Sequence, residues 1–145
     1  MDAPGHTPRT YTGSEFRELD PEECMDLLAG SPVARIAWCS PDGPHVLPVT
    51  AAVHDGAVVF RTAAHSALAR SVRNTTVAVE ADGIDVPTKT GWSVVVTGLA
   101  EIVLEPHDLV DLWRSDAPDP WAPGVRTLFV RVVPRRVSGR RIAQR

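Results

Sequence analysis

Arg61 is followed directly by Thr62 and, four positions later, by Ser66, where an apolar alternating run gives way to an amphipathic one. A guanidinium presents a planar fork of N–H donors that matches a phosphate in bidentate fashion. The two hydroxyls add donors, and the amides at a helix start point the same way as the positive end of its dipole. Phe60-Arg61-Thr62, a short loop and a helix start therefore make an anion pocket without glycine-rich turns. Blander roles fit the same residues: Arg61 as an exposed strand end, Ser66 as a simple helix cap. A second cationic set, Arg131, Arg135, Arg136, Arg140, Arg141 and Arg145, crowds the C-terminal run. It reads either as a solvated end or as part of an anion site.

Other chemistries lack their signatures. No G-x-G-x-x-G follows a strand, and neither G-x-x-x-x-G-K-[ST], H-E-x-x-H nor G-x-S-x-G occurs. His6, His45, His54, His65 and His107 show no metal-ligand spacing, so no metal is expected. Cys24 and Cys39 are too far apart for a C-x-x-C pair. The N-terminal residues carry no signal-peptide pattern, and no apolar run is long enough to span a bilayer. A cytoplasmic location follows as the expectation, with both cysteines reduced and in the core. The net charge of −3 gives no bulk attraction to nucleic acid or to an anionic membrane, and neither is an expected partner.

The 145 residues suit one domain with a sizeable core. Residues 1–14 lack periodicity and read as a loose arm, leaving 15–145 as a single domain. Asp20, Pro21 and Glu23 start a helix as cap, first-turn proline and capping-box acid, with Leu19 and Cys24 at the staple positions, and Gly30 ends it. Cys24, Leu27 and Leu28 form its apolar stripe. Strands are predicted at Val33–Cys39, His45–Val53 and Ala57–Thr62, joined by the turns Ser40-Pro41-Asp42-Gly43 and Asp55-Gly56. A short helix at about His65–Arg73 and a strand at Thr76–Ala81 follow. Trp92–Leu104 is a long strand in which Gly98 marks a bulge. Glu105–Arg114 is an amphipathic helix with Leu109, Leu112 and Trp113 on one face, and Asp116–Gly124 is a Pro-rich loop. Strands at Thr127–Val133 and Val137–Ile142 close the chain. Trp38 and Trp113 read as core. Six or seven antiparallel strands joined by hairpins, with a few helices, predict a mainly β barrel closed on itself.

The stretch P-V-T-x-x-V-x-D-G…V-F-R-T…S-x-L-A, then T-G-W-S-V-V-V-x-G and P-W-A-P-G-x-R, resembles the pyridoxamine 5′-phosphate oxidase-like family of FMN-binding split barrels, small actinobacterial members in particular. The resemblance runs from about Leu19 to Ile142. It implies a homodimer with the flavin in a groove at the interface and a small-molecule substrate. Val46, Leu47, Pro48, Val49 and Thr50 are then expected along the isoalloxazine edge, mostly through backbone groups; Pro48 has no N–H to strand there. Arg61, Thr62 and Ser66 match positions around the phosphate, and Trp92 and Ser93 match a strand approaching the cofactor. Trp121, Arg126 and Arg140 match segments brought in with the partner chain. Each also fits a structural role: Trp92 as core, Trp121 as a dimer anchor, Arg126 and Arg140 as strand ends.

Ala67 stands where the family commonly carries Lys, and Ala51 where an aromatic often follows Thr50. The ending G-R-R-I-A-Q-R differs from the R-x-H-x-R substrate signature, which argues against pyridoxamine phosphate as the substrate. The expected function is an FMN-dependent oxidoreductase, with no side chain standing out as an obligatory acid or base. Two alternatives are a reductase using the deazaflavin F420, whose anionic tail suits an Arg-lined groove, and a flavin- or haem-binding module without turnover.

Overall fold

The computed structural model describes residues 14–115, 120 and 124–144. Its elements are β1 (Ser14–Leu19), α1 (Pro21–Ala29), β2 (Val33–Ser40), β3 (Gly43–His54), β4 (Ala57–Thr62), α2 (Ala67–Val72), β5 (Thr75–Asp85), β6 (Thr90–Ile102), α3 (Pro106–Arg114) and β7 (Leu128–Gln144). All pairings are antiparallel, in the order β1-β7-β4-β3-β2-β5-β6, and β6 pairs back onto β7. Six strands thus close into a barrel, as a split-barrel fold requires. β1 lies outside the ring, on the far half of β7. Residues 1–13, nearly all of the expected arm, lie outside the described residues.

Local chemistry fixes the hairpins. Ser40 pairs with Gly43 around Pro41-Asp42. Asp55 and Gly56 both take positive φ, 48° and 75°, the conformation a two-residue turn needs to match strand twist. Asp20 caps α1, accepting from the Glu23 amide at 3.0 Å, and Pro21 occupies the first turn. Glu23 turns its carboxylate to Arg17 instead, at 3.4 Å.

Two expectations about the strands are corrected. Ser14–Leu19 is a strand, with Phe16 opposite Ile142; its polar, non-alternating sequence gives no sign of it. The two final strands are one strand of 17 residues. Pro134, which lacks an N–H, is passed at a bulge opposite Gly98. A Cβ on Gly98 would collide with the Val133 carbonyl, so the bulge needs glycine.

The barrel interior holds Ile36, Trp38, Phe60, Val79, Val94, Val96 and Val130, capped by Cys24 and Leu28 of α1 and by Leu68 and Val72 of α2. α3 packs outside, where Leu112 meets Val59, Val103 and Phe129. β4 is therefore apolar on both faces. Trp38 is core, as expected. Trp113 is not: it is 52% exposed, because Leu112 takes the central contact and leaves Trp113 on the rim of the stripe. Cys39 is exposed rather than buried, since it follows inward-facing Trp38 on the strand.

Candidate functional site

Alternation along β4 separates Arg61 from Thr62. Val58, Phe60 and Thr62 face the barrel interior, whereas Val59 and Arg61 face α3. Thr62 is 2% exposed, and its Oγ1 lies 3.0 Å from Ser66 Oγ. Ser66 Oγ in turn accepts from the Ala69 amide at 3.0 Å, which caps the six-residue α2. These hydroxyls are bonded to each other and to the helix start on one side of β4. The guanidinium is on the other side.

There Arg61 Nε donates to the Arg126 carbonyl at 3.0 Å. The guanidinium carbon sits 4.6 Å from the centre of the Trp113 ring and 5.8 Å from that of Phe129. Trp113 and Phe129 meet edge to face, 5.0 Å apart at 85°.

Arg61 and Arg126 open into a crevice of about 320 Å³ lined by Val33, Pro48, Val49, Thr50 and Pro120. Five of the sequence-derived candidates, Pro48, Val49, Thr50, Arg61 and Arg126, thus meet in one place. Arg126 Nε is buried and has no hydrogen-bond partner among the described residues, a state that costs free energy. Two guanidiniums at one crevice fit an anionic group. Val46 and Leu47 continue along β3 away from the crevice, 64% and 45% exposed. Trp121 lies outside the described residues.

The remaining candidates are elsewhere in the chain. Trp92 lies against Gly83, at a position where any Cβ would meet the indole, in a groove shared with Arg141. Ser93 and Arg140 line a third depression beside Arg136, and the Arg140 guanidinium lies 5.3 Å from the centre of the Phe16 ring. The ladder connects them to the crevice strand all the same. Pro48 pairs with Arg35, Arg35 with Glu80, Glu80 with Val95 and Val95 with Ser138. Asp82, Ser93 and Arg140 form the adjacent row. Directly opposed residues point the same way, so all of these share the outer sheet face.

Arg35 on that face reaches Glu80 at 3.4 Å and Asp82 at 3.5 Å. Burial, then the hydrogen bond and repulsion from Asp82, push the Glu80 carboxyl up to about 7, against the pull of Arg35. Behind α3, Arg131 binds Glu101 at 3.0 Å and Asp108 at 3.4 Å, and the Glu101 bond raises its pKa further. That clamp ties α3 to the barrel. Among the described residues no group of His, Cys, Asp or Glu is arranged to hold a metal, and no helix is long and apolar enough to cross a membrane.

Sequence reasoning missed Val33, Pro120 and Trp113 as site residues. Val33 was accessible from the β2–β3 turn, which sets it opposite Thr50. Trp113 was obscured because its helical stripe looks like ordinary core.

Three comparisons bear on this geometry. The profile of the family described as pyridoxamine 5′-phosphate oxidase matches residues 20–141. An uncharacterised protein of Mycobacterium tuberculosis is 37% identical over 133 residues, covering 88% of this chain and 86% of that one. Among solved structures, an FAD-binding protein from Mycobacterium smegmatis is 35% identical, with a TM-score of 0.74, over 86% of this chain and 96% of that one. An FAD-binding protein from Mesorhizobium loti shares the fold, at 24% identity and TM-score 0.72, over 91% of this chain and all (100%) of that one.

Proposed function

The chain belongs to the pyridoxamine 5′-phosphate oxidase family, and from that premise we propose that it is a flavin-dependent oxidoreductase acting on a small molecule other than pyridoxamine phosphate. The observation carrying this reading is the crevice at the foot of Val46–Thr50, where the side chains of Arg61 and Arg126 converge. FMN is the flavin inferred from the sequence. The FAD-binding relative at 35% identity brings FAD in beside it.

Arg61 and Arg126 would hold the phosphate, with charge-assisted hydrogen bonds that the absent Lys at position 67 does not supply. Pro48 and Thr50 would lie along the ring system, where Pro48 leaves no N–H unpaired. A bound flavin supplies the hydride transfer itself. The crevice residues Val33, Pro48, Val49, Thr50, Arg61, Pro120 and Arg126 include no carboxylate, imidazole, thiol or amine. Their work is binding, orientation and shielding from water.

We further infer a two-fold homodimer. The crevice is open, and Ser93 and Arg140 share its sheet face but sit several strands away within one chain. A second copy laid on that face would bring its own Ser93 and Arg140 to the flavin. Deazaflavin F420 is the second reading, favoured by the two arginines in the crevice and by Arg136 and Arg140 on the same outer sheet face.

The test is the absorbance spectrum of the freshly purified protein, followed by mass spectrometry of whatever denaturation releases. Release of FMN or FAD, and turnover with NAD(P)H, supports the proposal. Release of F420 selects the second reading. Flavin bound without reduction by NAD(P)H or by reduced F420 makes the protein a binding module. A colourless protein that ignores added FMN, FAD and F420 overturns the proposal.

A further inference from the structure

We propose that Trp113 is the positioning residue for Arg61, holding its guanidinium at the crevice and so setting the affinity for the cofactor's phosphate. This rests on the reading of Arg61 as a phosphate ligand given above. Among the described residues, the Arg126 carbonyl and the Trp113 ring both hold Arg61. Nε is spent on the Arg126 carbonyl, which fixes one edge of the guanidinium. The Trp113 ring, 4.6 Å away, fixes its plane. Phe129, directly opposite Arg61 on β7, braces the indole edge to face.

An arginine side chain carries substantial rotamer entropy, and a ligand that must first order it binds more weakly. Stacking on Trp113 meets that cost before the ligand arrives. The exposure of Trp113 supports this role over a packing one. A tryptophan left 52% exposed on a nine-residue helix contributes little to the core that Leu112 already fills. The helix is also held from behind by the bond from Arg131 to Asp108. A fixed helix makes a fixed ring, and a fixed ring makes a fixed guanidinium.

The experiment compares Trp113→Phe, Trp113→Leu and Trp113→Gln with the wild type, using FMN, FAD and inorganic pyrophosphate as probes. Flavin dissociation constants come from fluorescence titration. The Arg61 Nε–H resonance, assigned with Arg61→Gln, reports the guanidinium directly. Loss of the stack is expected to weaken binding by about three- to tenfold in Trp113→Leu and Trp113→Gln. Trp113→Phe, which keeps a ring under the cation, should stay within about twofold of the wild type. The ring-shifted Arg61 signal should move toward its solution position in the first two variants only. Equal affinities and an unmoved Arg61 signal in all three variants would overturn the proposal. If Leu unfolds the protein, the Gln variant decides, since it keeps a polar group at a half-exposed site. Should the wild type bind no flavin, the proposed function fails separately. Pyrophosphate then decides this one: a titration that moves the Arg61 signal, and weakens in the Gln variant, sustains it, and an indifferent signal sinks it.

Discussion

At the scale of single residues, the outer sheet face carries one imbalance of charge. Arg35 serves two carboxylates, Glu80 and Asp82, so one negative charge stays uncompensated unless a proton is shared. The Glu80 carboxyl, raised from an ordinary 4.5 to about 7, takes that proton. A raised carboxyl binds protons more tightly folded than unfolded, so its contribution to stability is fully present below about 4.5 and fades as pH climbs through about 7. Glu80→Gln removes this dependence. Melting temperatures of wild type and variant, measured side by side from pH 4 to 8.5, should therefore diverge: the wild type loses ground with rising pH and levels off above about 7.5. A difference that stays constant across the range would show that Glu80 titrates at its ordinary value. The comparison must be differential, because the chain's other carboxylates impose their own trends on both proteins.

At the scale of elements, the barrel depends on β7 reaching across two neighbours, β4 and then β1, with β6 alongside throughout. The bulge at Gly98 lets the strand carry Pro134 without losing its partner. Gly98→Ala puts a methyl group into the Val133 carbonyl and should cost about 1–3 kcal/mol or more, read as a lower urea midpoint with an unchanged slope. Retention of full stability would mean that the bulge relaxes freely. Gly98 was recognisable in the sequence, as were both hairpins, because turn chemistry is local: Asp55-Gly56 and Pro41-Asp42 dictate their own geometry and with it the register that sets Thr50 opposite Val33. β1 was not, since Ser14–Leu19 becomes a strand only by pairing with β7. The site divides the same way. Pro48, Thr50 and Arg61 could be tied together through their strands, but Arg126 enters from a loop whose path no local pattern fixes. Thr62 shows the converse. Successive residues of a strand face opposite ways, so a strict reading of β4 already separates its hydroxyl from the Arg61 guanidinium.

At the scale of the whole molecule, the crevice and the row holding Ser93 and Arg140 lie on one curved sheet face, and the proposed dimer is what joins them. A stable two-fold contact needs about 800 Å² from each copy, and a face combining exposed Val46 with half-buried Val95, Thr97 and Leu99 can supply apolar area for its centre. Val95 makes the sharper probe. It sits across two intervening strands from Pro48 and lines no part of the crevice, so within a single chain it has no route to the flavin. Val95→Arg would place a new charge at the contact, beside its two-fold copy or against apolar surface, and either costs association free energy. Sedimentation should then show a dimer for the wild type at micromolar concentration and a monomer for the variant. Flavin affinity should fall together with the dimer, while the isolated barrel keeps its strand circular dichroism. A monomeric variant that holds flavin as tightly as the wild type would confine the site to one chain. A variant that stays dimeric would move the contact to another face and leave Ser93 and Arg140 without a role at the flavin.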